Sequence, residues 1–220
     1  MKRIVRSLFI VGFALSAVGL LRIGYFEAKA ELAQHLMQNA WEENKQLMNQ
    51  LDGKIKTNPA KIKPWPWADT WPVFKLIIPR IASNSLVLKD ASGESLAFGP
   101  GLLTTSIYPG ERGNSFIAAH RDTHFVHLAE IKNGDAIFIE NITEQQLHFK
   151  VDLIKIVDSR THQPLTDTPD TRITLVTCYP FDATESNTPY RYLVSGRLVV
   201  DSSSDTKNPQ LAEIRLANLH

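Results

Sequence analysis

Over residues 73–200 the apolar side chains come in short runs rich in β-branched and aromatic types, punctuated by glycine, proline or asparagine. Most of these runs are too short for helices. They suit strands, because β-branched and aromatic side chains pack well on a pleated surface. The pattern predicts strands over 73–78, 85–88, 115–119, 135–140, 147–158, 172–178 and 191–200. Pro79 and Asn84 mark one turn, and 109–114 is another. A helical stretch is expected over 125–131, stopped near Asn133 and Gly134, with a short helical turn within 96–105. Seven or eight short strands with little helix predict a mainly β domain, a barrel or a sandwich.

One of these runs ends on chemistry. Thr174-Leu175-Val176-Thr177-Cys178-Tyr179-Pro180 carries the single cysteine of the chain and is stopped by a proline. Pro180 has no N–H and cannot extend a central ladder. Cys178 therefore belongs at a strand end, rigid on one side and open on the other. A lone cysteine is most often a small buried hydrophobe. Two further strand ends change that reading. Phe116-Ile117-Ala118-Ala119-His120-Arg121 ends on a histidine, and the strand after Cys178 opens with Arg191. A cysteine nucleophile needs a nearby cation and a proton donor for its leaving group, and these two residue types supply them.

Composition narrows the classes. The chain has 220 residues, 43% hydrophobic, with 24 Lys+Arg against 23 Asp+Glu and a net charge of +1. Nothing in that balance suggests a nucleic-acid surface. One cysteine excludes an intramolecular disulfide framework, and in an oxidising compartment an unpaired thiol is a candidate reactive group.

The N-terminus argues for export. Lys2, Arg3 and Arg6 precede an apolar run from Leu8 to Leu21, extended past Arg22 by Ile23, Tyr25 and Phe26. Basic residues before such a run keep the N-terminus cytoplasmic, which makes 1–26 a signal-anchor transmembrane helix. Ala28-Lys29-Ala30 resembles a signal-peptide cleavage site but lies well past the apolar run, whereas such sites follow it closely. Residues 27–72 read as a stalk. Leu32, Leu36, Met37, Trp41, Leu47, Met48 and Leu51 recur at helical spacing, with Gly53 as the expected C-cap. A linker with Pro59, Pro64, Pro66 and Pro72 and with Trp65, Trp67 and Trp71 follows, its tryptophans expected to lie on the domain surface. The domain then occupies 73–200, and 201–220 is a polar tail without evident chemistry.

These residues carry a family likeness. Thr174-Leu175-Val176-Thr177-Cys178 resembles the TLxTC signature of sortases, Ala119-His120-Arg121 their histidine motif, and Arg191 their catalytic arginine. Gly99-Pro100-Gly101 and Lys132-Asn133-Gly134-Asp135 also look like the family, and the resemblance covers 73–200. The Trp-Pro-Trp segment resembles the proteobacterial, Gram-negative class. Ala119 stands where the common form has glycine. The resemblance implies a closed β-barrel of seven to eight strands with short helices. It implies catalytic His120, Cys178 and Arg191, substrate contacts at Thr177 and Ala119, and no metal or cofactor. It further implies an LPxTG-like sorting signal as substrate, an amine acceptor (a peptidoglycan stem peptide or a protein lysine), and a single-pass anchor in the bacterial inner membrane with the catalytic domain in the periplasm.

Other readings are weaker. His120-Arg121-Asp122 spells a kinase triplet, but no glycine-rich phosphate loop or Asp-Phe-Gly accompanies it. His120, His124 and His127 could be metal ligands, yet no H-E-x-x-H arrangement is present, and His124 and His127 read as surface residues. The cysteine L,D-transpeptidases place a histidine motif close to their cysteine, and nothing similar surrounds Cys178. The alternative from a different class is a membrane-anchored barrel that binds peptides without turning them over.

Overall fold

The computed structural model describes residues 2–50, 60–163, 166–183, 185 and 188–199. The side chains of 1–11 and of several residues up to 27 lie outside that set, as do the Gly53 cap and the tail over 201–220. The chain forms two compact units, Met1–Leu36 and Met37–His220. Helix α1 runs over Lys2–Gln50, so the separate anchor and stalk helices expected from the sequence form one continuous element. Among the described residues no helix is long and apolar enough to cross a membrane.

Within the second unit, Met37, Ala40, Trp41, Asn44 and Met48 of α1 are buried. Their spacing makes one helical stripe. Trp41 and Met48 pack with Ile142 and, at the edge, Leu86. Asn44 is 1% exposed and makes a reciprocal pair with Ala60: Nδ2 donates to the Ala60 carbonyl at 2.9 Å, and the Ala60 N–H donates to Oδ1 at 3.2 Å. Lys45 reaches Glu144 at 2.5 Å, holding the Lys45 amine above its ordinary range. Trp65 meets the Phe98 ring edge at 5.0 Å, and Trp71 lies under the Lys61 ammonium. Trp67, in contrast, is 78% exposed and does not cover the domain.

The domain is a closed eight-stranded barrel. Its strands are β1 (Pro72–Ile78), β2 (Ser83–Leu88), β3 (Gly101–Leu102), β4 (Gly113–Ala118), β5 (Ala136–Glu140), β6 (Gln146–Asp158), β7 (Thr171–Cys178) and β8 (Tyr190–Leu198). Around the wall the order is β1-β2-β3-β4-β7-β8-β6-β5, with β5 returning to β1. The β2–β3 and β4–β7 pairs are parallel and the rest antiparallel. Leu76, Ile117, Ile139, Phe149, Leu175 and Val194 fill the interior with no exposure. They alternate with outward residues as a barrel wall requires.

Two expectations change. The stretch over 125–131 is a chain of turns with a 3₁₀ helix at Leu128–Glu130. Its buried residues Phe125, Leu128 and Ile131 recur every third position, and the Leu128 and Ile131 N–H groups bond three residues back. That is the 3₁₀ period, so an α-helix would turn one of these side chains out of the core. The helical turn expected within 96–105 lies earlier, at α2 (Gly93–Leu96), and is followed by β3. A Cβ on Gly101 would stand 2.1 Å from the Asp90 carbonyl, so only glycine lets β3 enter the wall there.

Removing the Trp41 side chain empties the contact between α1 and the barrel. Trp41→Ala is expected to lower unfolding stability by about 3–5 kcal/mol in urea titration of the full chain. An unchanged midpoint would show that this docking contributes nothing.

Candidate active site

Residues opposite each other on paired strands present their side chains on the same face of the sheet, and successive residues alternate. On β7 the core residues are Ile173 and Leu175, so Thr174, Val176 and Cys178 face outward. Cys178 pairs with Arg191 of β8, and Val176 with Leu193. On the other side Ala118 of β4 pairs with Val176. The Ala119 N–H continues that ladder, donating to the Val176 carbonyl at 3.1 Å. Because β4 and β7 are parallel, the next outward residue of β4's extension, His120, comes level with Cys178. Adjacent strands are about 4.8 Å apart. The histidine, cysteine and arginine singled out in the sequence thus converge at one end of three neighbouring strands, with Cys178 in the middle. Beneath them lies an outward cross-strand row of Ala118, Val176 and Leu193. That apolar row was legible in the alternation of β7, two residues before the cysteine.

The inward residues hold this geometry. Thr177 is 2% exposed and donates its hydroxyl to the Ala119 carbonyl at 2.8 Å. Ala119 is 5% exposed and belongs to the core. The structure therefore places the expected substrate contacts Thr177 and Ala119 behind the wall. The hydroxyl is committed and both side chains point away from the outer face, so they brace the two strand ends and do not line a groove.

Of the three outward groups, His120 is exposed and Cys178 and Arg191 are half-buried. Arg191 spends Nη1 on two carbonyls of its own segment, Thr188 at 2.5 Å and Tyr190 at 2.9 Å. Among the described residues its Nε and Nη2 make no hydrogen bond. Thr188 closes the base of the loop after Cys178: its hydroxyl donates to the Tyr179 carbonyl at 2.6 Å, and the Tyr179 N–H donates to Tyr190 at 3.0 Å. Tyr179, Phe181 and Tyr192 form a ring cluster beside it, Phe181 and Tyr192 edge-to-face at 5.2 Å. Burial, with Tyr179 beside it, holds the Tyr192 phenol above its ordinary range.

Two residues of the 120–125 turn carry more than their sequence context suggested. His124, expected on the surface, is half-buried. Its imidazole is pulled below its ordinary 6.5 by burial first and by neighbouring His120 second. Arg121 is 8% exposed and donates from Nη2 to the carbonyls of Ala183 at 2.7 Å and Glu185 at 2.5 Å. No local signal marks an arginine after a strand as buried; only the fold brings the distant loop to it. His127 pairs instead with Glu130 at 2.7 Å, and among the described residues no group of His, Cys, Asp and Glu is placed to hold a metal.

The barrel is similar to known proteins. The sortase domain model matches residues 76–199. Sortase D of Bacillus subtilis (strain 168) is 30% identical over 125 residues, covering 56% of this chain and 62% of that protein. The chain thus spans less than two thirds of that relative's length. Among solved structures, sortase C1 from Streptococcus suis has 26% identity and a TM-score of 0.52 over 58% of this chain and 73% of its own. The type I crystal form of Streptococcus agalactiae sortase C1 has 28% identity and a TM-score of 0.52 over 58% and 69%. The Clostridium perfringens Sortase D5 transpeptidase, at 19% identity, shares the fold with a TM-score of 0.57 over 75% of this chain and 99% of its own.

The lowered His124 imidazole makes stability depend on pH. Below its ordinary 6.5, the unfolded chain takes up a proton at this position more readily than the folded one. Stability therefore rises with pH through that window and is lost as pH falls. Melting temperatures are expected to drop on going below about pH 6.5, and His124→Gln to flatten that slope. A slope unchanged in the variant would assign it to other groups.

Proposed function

Because the chain belongs to the sortase family, we propose that it is a cysteine transpeptidase that cleaves an LPxTG-like sorting signal and joins the acyl fragment to an amine. The observation that carries this reading is the register: Cys178 opposite Arg191, flanked on the other side by the strand end that bears His120, all on one outer face. Ala118 and Val176, half-buried beside the buried Leu193, give that face an apolar floor on which an extended peptide can lie.

In the first half-reaction the Cys178 sulfur attacks the carbonyl carbon of the threonine in the signal. Electrons move onto the carbonyl oxygen, and Arg191 offers Nε and Nη2 to that oxyanion. When the carbonyl re-forms, the C–N bond to the following glycine breaks. His120, as imidazolium, gives its proton to the departing amine. A thioester remains on Cys178. In the second half-reaction an incoming amine attacks the thioester carbonyl, His120 takes up its proton, and the thiolate leaves. Water in place of the amine gives hydrolysis. Every step uses protein groups alone.

The finer assignments belong to the same proposal. Lys2, Arg3 and Arg6 before the apolar run support a single-pass inner-membrane anchor with the barrel in the periplasm. The Trp-Pro-Trp segment supports the proteobacterial class. A peptidoglycan stem amine or a protein lysine suits the acceptor role.

The test is intact-mass analysis of the full chain incubated with a panel of LPxTG-like peptides. A thioester adduct is expected on the wild type, released by hydroxylamine and absent from Cys178→Ala. Arg191→Gln is expected to slow acylation roughly 100-fold or more, the usual loss on removing an oxyanion donor. Peptide binding that survives Cys178→Ala, with no adduct on the wild type, would replace the enzyme with a peptide-binding barrel.

A further inference from the structure

The loop joining Cys178 to Arg191 begins at the cysteine and ends at the arginine paired with it, and sheet pairing alone does not set its course. Its base is tied by Thr188, whose hydroxyl bonds Tyr179 and whose carbonyl receives Arg191. Beyond Phe181, which packs on the core and on Tyr192, Arg121 reaches the loop's Ala183 and Glu185 carbonyls across a wide gap in sequence. Arg121 is 8% exposed and makes no ion pair among the described residues, and its Nη1 is buried without a hydrogen-bond partner. A buried cation without a carboxylate is costly, and an unpaired buried donor adds to that cost. Here the two loop carbonyls are its counterweight, and a charged donor makes such bonds short and strong. A core support would not need a charge in that place.

We infer that Arg121 is a positioning residue. Its guanidinium clamps the loop after Cys178 to the turn that carries His120 and thereby fixes one wall of the peptide groove. Arg121 follows His120 directly, so the clamp joins the strand end of the proton donor to the segment linking nucleophile and cation. The use of that wall by substrate rests on the transpeptidase reading; the clamp itself does not. Both bonds come from one nitrogen. A lysine ammonium, with three donors on a flexible stem, can replace them in part, whereas methionine keeps the bulk and loses the bonds.

The experiment compares the full chain with Arg121→Met and Arg121→Lys by amide hydrogen exchange and by saturation kinetics with an LPxTG-like peptide. In Arg121→Met the amides of the segment from Phe181 to Pro189 are expected to exchange about tenfold faster, while β4 and β7 keep wild-type protection. The peptide KM is expected to rise about tenfold with kcat changed far less, because the wall binds the peptide and does not react with it. Arg121→Lys should recover part of both. Unchanged loop protection and KM in Arg121→Met would overturn the proposal. So would a loss of protection shared equally by β4, β7 and the loop, which would make Arg121 a general support of the fold. If the wild type acylates with no peptide, the transpeptidase reading fails, and hydrogen exchange alone still decides the clamp.

Discussion

The site depends on one pairing: β7 lies between a parallel neighbour, β4, and an antiparallel one, β8. A parallel neighbour ends at the same rim as β7, and an antiparallel neighbour begins there. Two residues at strand ends and one at a strand start therefore meet without any loop having to carry them. Were β4 antiparallel to β7, His120 would sit at the far rim of the barrel. The far end of β7 is secured separately. Arg172 and Arg197 alternate with Asp152 and Asp170 in an ion-pair network across β6, β7 and β8, with Arg197 at 2.7 Å from Asp170 and Arg172 bonded to Asp152.

Alternation along the strands then divides the work. Outward positions (His120, Cys178, Arg191) are accessible, while the inward positions beside them (Ala119, Thr177) are buried and mutually bonded. One such hydrogen bond is worth only about 1 kcal/mol net. Its importance lies in geometry, since the Ala119 carbonyl is the last fixed atom before the chain turns at His120. The Phe125 N–H returns to the His120 carbonyl at 3.0 Å, so the turn is closed on both sides of the histidine.

Most of this was legible in the order of residues, for physical reasons. Strand bounds follow β-branched runs and their stops, so seven of the eight strands lie close to where the pattern places them. β3 was missed because two residues, one of them glycine, carry no period. The helical reading of 125–131 failed because three- and four-residue spacing differ little over so short a stretch. The strand-end positions of Cys178 and Arg191, and of His120 just past β4, follow from the same runs and their stops. Thr177 and Ala119, expected as substrate contacts, are buried, and the period of two along β7 already sets Thr177 opposite to Cys178. The burial of Arg121 and His124 has no such local signal, because past the end of β4 it is decided by tertiary contacts such as the Arg121 bonds to Ala183 and Glu185.

Arg191 shows why the base of that loop matters to chemistry. A free arginine side chain samples many rotamers, and holding it in one costs about 2 kcal/mol of entropy. The Thr188 and Tyr190 carbonyls meet that cost in the resting protein by engaging Nη1. The remaining donors then keep a set direction before any substrate arrives. In the proposed mechanism negative charge appears on the carbonyl oxygen only as the tetrahedral centre forms. Donors already aligned stabilise that state without reorganising at the moment of reaction. Thr188 is therefore bonded to Tyr179 on one side and to Arg191 on the other, and the loop base orients the cation across the strand pair from the nucleophile.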